Sequence, residues 1–126
     1  MPLVKIELAK GLAKDTLLEL KKSVMNSVVE VLQLPDNDRN IRLMEYEPEF
    51  FSMKNPYEIL IEITIFSGRT KETKKKLFQT IVQKLSTIHI EKENVFIVLN
   101  EQPLENWGVR GGIPADEIKL DVDVKI

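Results

Sequence analysis

Two periods organise the pattern of apolar and polar positions. Val4, Ile6 and Leu8 alternate with Lys5 and Glu7, and Ile59, Ile61, Ile63 and Ile65 alternate with Glu62 and Thr64. A period of two predicts a half-buried strand in each stretch. Leu17, Leu20, Val24, Val28 and Val31 form one apolar stripe, and Leu77, Ile81, Leu85 and Ile88 form another, each the inner face of a helix. Pro35-Asp36-Asn37-Asp38 ends the first helix, and strands near 40–46 and 94–100 follow the two helices. The tail alternates most regularly of all. Ile118, Leu120, Val122, Val124 and Ile126 interleave with Lys119, Asp121, Asp123 and Lys125 after a Gly111-Gly112 turn signal, which predicts an extra C-terminal strand. Its apolar face needs cover, either this chain's own sheet or a neighbouring subunit.

The two strand–helix–strand units repeat at an offset of 57 residues. Leu3, Val4, Ile6 and Leu8 fall on Leu60, Ile61, Ile63 and Ile65; Gly11 falls on Gly68, Lys14 on Lys71 and Leu20 on Leu77. Such a repeat indicates a duplicated supersecondary unit. Each unit is a right-handed crossover with parallel strands. The expected fold is α/β (α+β): duplicated β-α-β units making a four-stranded mixed sheet with two helices on one face. The whole of 1–126 reads as one domain, with units at about 2–46 and 58–101 and a C-terminal loop and strand over 102–126. Two topologies fit. A ferredoxin-like sheet interleaves the units and needs only a hairpin between them. A side-by-side duplication joins them through their first strands. The long connector 47–57, with Phe50, Phe51 and Met53, suits the second.

Composition narrows the function. The chain has 126 residues, 43% of them hydrophobic, no cysteine and a net charge of -2. Thiolate chemistry is excluded, and a reducing cytoplasm is the expected setting. No strong positive charge draws the chain to nucleic acid, and no apolar run approaches a membrane span. The acidic residues lack metal-ligand spacing, so no metal is expected, and the missing phosphate and dinucleotide loops imply no cofactor.

Pro2 offers the most specific chemistry. Removal of Met1 would turn its ring nitrogen into a secondary amine that titrates near ~8 when unperturbed, close enough to neutrality to serve as a general base or acid. Arg69 stands at the predicted start of the second helix, in Ser67-Gly68-Arg69-Thr70, where a helix N-terminus and a guanidinium suit a carboxylate. Were the first strands of the two units antiparallel neighbours, Pro2 and Arg69 would meet. Asp38 and Arg39 lie in the turn after the first helix, where Asp38 has the means to hold a Pro2 ammonium. Trp107, Phe50, Phe51 and Arg110 are candidates for pocket walls or carboxylate contacts. His89 has no partner for a triad and suits a helix C-terminus.

Met1-Pro2 before a strand, the doubled unit, the Ser67–Thr70 helix start and the Asn106-Trp107-Gly108 loop together resemble the tautomerase superfamily. Among fused-length members the chain is similar to the malonate semialdehyde decarboxylase group through Asp38-Arg39, Arg69 and Trp107. It departs from that group at Ser67, where the group carries a second arginine, and at Val109, where it carries an aromatic residue. The resemblance implies a cytoplasmic homotrimer with an N-terminal proline as catalyst. Pro2, Arg69 and Asp38 would be catalytic, and Trp107, Arg39, Phe50, Phe51 and Arg110 would contact a small carboxylate substrate. The implied activity is keto-enol tautomerisation of a small 2-oxo acid. Decarboxylation or hydration of a 3-oxo or acetylenic acid is the alternative within enzymes. A non-enzymatic ferredoxin-like ligand-binding module is the alternative outside them.

Overall fold

The computed structural model describes residues Met1–Ile126. Strand β1 (Leu3–Ala9) leads into helix α1 (Lys14–Leu32) and strand β2 (Ile41–Tyr46), and strand β3 (Ile59–Phe66) into helix α2 (Lys71–Ser86) and strand β4 (Val95–Gln102). The sheet order is β2-β1-β3-β4. Each unit contributes a parallel pair, and β1 and β3 join the units in antiparallel fashion. This is the side-by-side duplication; the ferredoxin-like interleaving is absent.

Alternation sets the core. Val4, Ile6, Ile61 and Ile63 have no exposed surface and face Leu20, Val24, Val28, Leu77, Ile81 and Leu85 from the helices. Burying each such aliphatic side chain favours folding by about 1.5–3 kcal/mol. Ser27 is buried among them, and its hydroxyl donates to the Ser23 carbonyl at 2.8 Å. The other sheet face has no cover within the chain. It carries Lys5 between Glu7 and Glu62, with Leu3 and Phe96 exposed at 42% and 38%. No helix is long and apolar enough to cross a membrane.

The tail departs from its sequence pattern. Residues 118–126 keep alternating exposure but form no strand, so the expected extra C-terminal strand is absent. A strand needs an edge to pair with, and this segment crosses the end of the sheet instead of running along β2 or β4. Val122 packs partly against the core, and the Ile126 carbonyl accepts from the hydroxyls of Thr70 and Thr73. Helix α2 ends at Ser86, so His89 lies beyond it, in left-handed backbone at φ 66°. A two-stranded ribbon, β5 (Gly108–Val109) and β6 (Ile113–Pro114), follows β4.

Candidate active site

Strand register assembles the site. Leu3 pairs with Thr64, so the residues before β1 lie beside the end of β3. Pro2 is buried there among Leu32, Leu34, Ile65, Phe66 and Arg69, with no water-sized space between them. The turn after β3 carries Arg69 inward. Gly68 takes φ 128°, a conformation open to glycine, and Thr70 caps α2 by accepting from the Thr73 N–H at 3.2 Å.

Arg69 is only 6% exposed, and no carboxylate lies within ion-pairing distance. One terminal nitrogen donates to the Phe66 carbonyl at 3.1 Å, while the buried Nε has no partner. Burial pushes the guanidinium below its ordinary pKa, and the carboxylates of Asp123 and Glu101 oppose that shift. Glu101 itself is paired with Lys74 at 2.5 Å. A buried guanidinium left partly unpaired is costly for folding and well disposed toward an incoming carboxylate.

Asp38 reaches the start of the chain from the turn after α1. Helix α1 stops at Gln33 in left-handed backbone, with the Leu34 N–H returning to the Val29 carbonyl at 3.0 Å. Arg39 then fixes the turn. It donates to the Asp36 carbonyl at 2.7 Å, to Asp36 Oδ1 at 2.9 Å and to Asn26 Oδ1 at 2.7 Å. These bonds place Asp38 Oδ2 2.8 Å from the amine of Met1. Arg39 is thereby occupied with the turn and does not share the pocket with Pro2.

A cleft of about 240 Å³ opens beside this cluster, lined by Met1, Asp38, Phe66, Arg110, Leu120 and Val122 among others. Arg110 reaches it from a left-handed position in the β5–β6 turn, at φ 50°. Trp107 stands behind the cleft. Its ring meets Phe66 edge-on at 4.8 Å, and its indole N–H donates to the Gln102 carbonyl at 3.3 Å. Phe66 is the residue that sequence reasoning passed over. Its signal was present, since it adds a second consecutive apolar position to the end of a strand that otherwise alternates.

Phe50 and Phe51 are not brought to Pro2 within the chain. Phe51 stacks on Tyr46 at 5.5 Å and lines a larger cleft of about 540 Å³, with Leu12, Met53, Tyr57 and His89, at the opposite end of the sheet. Phe50 is 75% exposed. That larger cleft is lined by no arginine and no chain-terminal amine, whereas Arg110 and Met1 both line the smaller one.

A family described as tautomerase enzyme matches residues 38–110. The chain is 31% identical over 121 residues to the probable tautomerase YusQ of Bacillus subtilis (strain 168), covering 89% of this chain and 95% of that protein. It is 34% identical over 61 residues to the probable tautomerase RSp0893 of Ralstonia nicotianae, covering 48% of this chain and 86% of that one. Among solved structures, FG41 malonate semialdehyde decarboxylase inhibited by 3-bromopropiolate superposes with a TM-score of 0.78 at 25% identity, covering 94% of this chain and 98% of that one. A fused 4-OT symmetric trimer shares the fold with a TM-score of 0.80 at 23% identity, covering 90% and 96%. The chain belongs to the tautomerase family.

Proposed function

We propose that the chain is a keto-enol tautomerase acting on a small 2-oxo acid or its enol, with the Pro2 amine, freed by loss of Met1, as the proton shuttle. The observation that carries this reading is Arg69, a nearly dry cation with an unpartnered Nε, against Pro2. In this reading Arg69 takes the substrate carboxylate and draws electron density toward it, steadying the enolate that develops beside it. Pro2 removes the proton from the enol oxygen and returns it to C3. Leu32, Leu34, Ile65 and Phe66 make an ammonium costly beside a guanidinium, which favours the free amine and hence the base. Asp38 pulls the other way and supports return of the proton.

A second reading is decarboxylation of a 3-oxo acid. The position of Asp38 near the amine favours it, because a carboxylate there would help keep Pro2 protonated as an acid. Ser67, with no guanidinium, favours the tautomerase. The uncovered sheet face and the likeness to a fused 4-OT trimer support a homotrimer.

The test begins with mass spectrometry of the purified protein, which is expected to show loss of Met1. Ketonisation of enol phenylpyruvate is then followed by absorbance for the wild type and Arg69→Ala. The variant is expected to lose at least tenfold in kcat/KM, and an unaltered value would remove Arg69 from the site. Activity lost on acidification identifies a base, and activity lost on alkalinisation an acid.

A further inference from the structure

A carboxylate bound by Arg69 has to pass whatever covers the guanidinium. Met1 is one cover and is absent from the active form proposed above. The other is the segment 120–126. Its Val124 carbonyl lies on Gly68 so closely that a Cβ there would stand 2.6 Å from the oxygen. The Ile126 carbonyl accepts from Thr70 Oγ1 at 2.9 Å and Thr73 Oγ1 at 2.7 Å. Leu120, Asp121 and Val122 wall the cleft that also holds Asp38 and Arg110.

The attachment is slight for a segment in this position. None of the backbone hydrogen bonds outside the helices and strands ties residues 118–126 to the rest of the chain, and within the segment Asp123 Oδ1 accepts the Lys125 N–H, at 2.9 Å. Few hydrogen bonds and open backbone mark a piece that detaches at low cost. The Asp123 carboxylate is also the strongest of the nearby charges favouring the Arg69 cation. Asp123 stands between Val122, which walls the cleft, and Val124, which lies on Gly68, so the protein places an anion of its own beside the site where a substrate anion would enter.

We infer that segment 120–126 is an autoinhibitory strap: it covers the Arg69 end of the site, Asp123 acts as an internal counter-anion, and the substrate carboxylate displaces it. The inference rests on the tautomerase reading of the same site. Anchor and anion are separable. Thr73→Val removes one hydroxyl anchor and leaves Thr70 to cap α2, whereas Asp123→Asn removes the charge and keeps the shape.

The experiment compares KM and kcat for phenylpyruvate in the wild type and both variants. It also follows thiol labelling of Val124→Cys, a single reporter in a chain without cysteine. Each variant is expected to lower KM about threefold or more with kcat unaltered, the scale of losing one partly exposed polar or charged competitor. Saturating phenylpyruvate is expected to speed labelling at position 124. KM unchanged or raised in either variant, or labelling not accelerated, overturns the strap. Arg69→Ala separates the two ideas. A raised KM there with no response at Asp123 or Thr73 keeps the site and discards the strap. No saturable turnover in the wild type, or no response to Arg69→Ala, discards the site reading and the strap with it.

Discussion

Asp38 Oδ2 lies 2.8 Å from the amine of Met1, the residue before Pro2. A carboxylate beside an amine stabilises its ammonium. Once Met1 is gone, Asp38 is expected to raise the proton affinity of the Pro2 nitrogen. Asp38→Asn should therefore move the acid limb of the kcat/KM profile to lower pH, by about one pH unit, because the free amine survives further into acid. A profile measured from pH 5 to 9 checks this, and a limb moving to higher pH would contradict it.

Arg69 sets stability against function. Its guanidinium is buried with an unpartnered Nε, so an apolar side chain of similar length removes a desolvation cost. Arg69→Met is expected to raise stability by about 1–3 kcal/mol in urea unfolding, while tautomerase activity is lost. A destabilised Arg69→Met would show that the guanidinium is a structural strut.

Phe66 and Trp107 act as a pair, with ring centroids 4.8 Å apart. Trp107 backs Phe66, which lines the cleft. Trp107 is only partly buried, so Trp107→Ala should cost about 1–3 kcal/mol of stability, and it should raise KM by loosening Phe66. Trp107→Phe, which keeps an edge-on partner, should recover most of both. Unfolding curves and steady-state kinetics on the two variants provide the check.

Tyr46 donates its hydroxyl to Glu7 on the uncovered sheet face, and that hydrogen bond, with burial and the charge of Glu7, raises the phenol above its ordinary pKa. The folded value exceeds the unfolded one, so the stability it contributes is complete below the unfolded pKa of ~10 and fades as pH rises through the folded one. Absorbance titration should show a phenolate step above the free-tyrosine range that Tyr46→Phe abolishes. A step within the ordinary range would contradict the pairing.

Sequence and structure agree where one local rule acts alone. The isoleucine alternation of β3 and the stripes of α1 and α2 are each the product of periodicity, and each is legible in the sequence. The adjacency of Pro2 and Arg69 was legible only through topology, since it follows from β1 pairing with β3 in antiparallel register. Three features depended on partners that no pattern announces. The tail alternates like a strand, yet it has no sheet edge along its path, and its last carbonyl goes to the Thr70 and Thr73 hydroxyls. Arg39 is a substrate-contact candidate in the sequence, whereas Asp36 and Asn26 accept from each of its three guanidinium nitrogens. Phe51 sits in a connector long enough to reach either end of the sheet, and the chain takes it to the end away from Pro2.

The central claim is that the Pro2 nitrogen moves the proton. The most direct measurement is kcat/KM for ketonisation of enol phenylpyruvate by wild type and Pro2→Ala, each shown by mass spectrometry to have lost Met1. The account predicts a loss of about 100-fold or more in the variant, the range of a removed general base or acid. Equal turnover by the two proteins would contradict it.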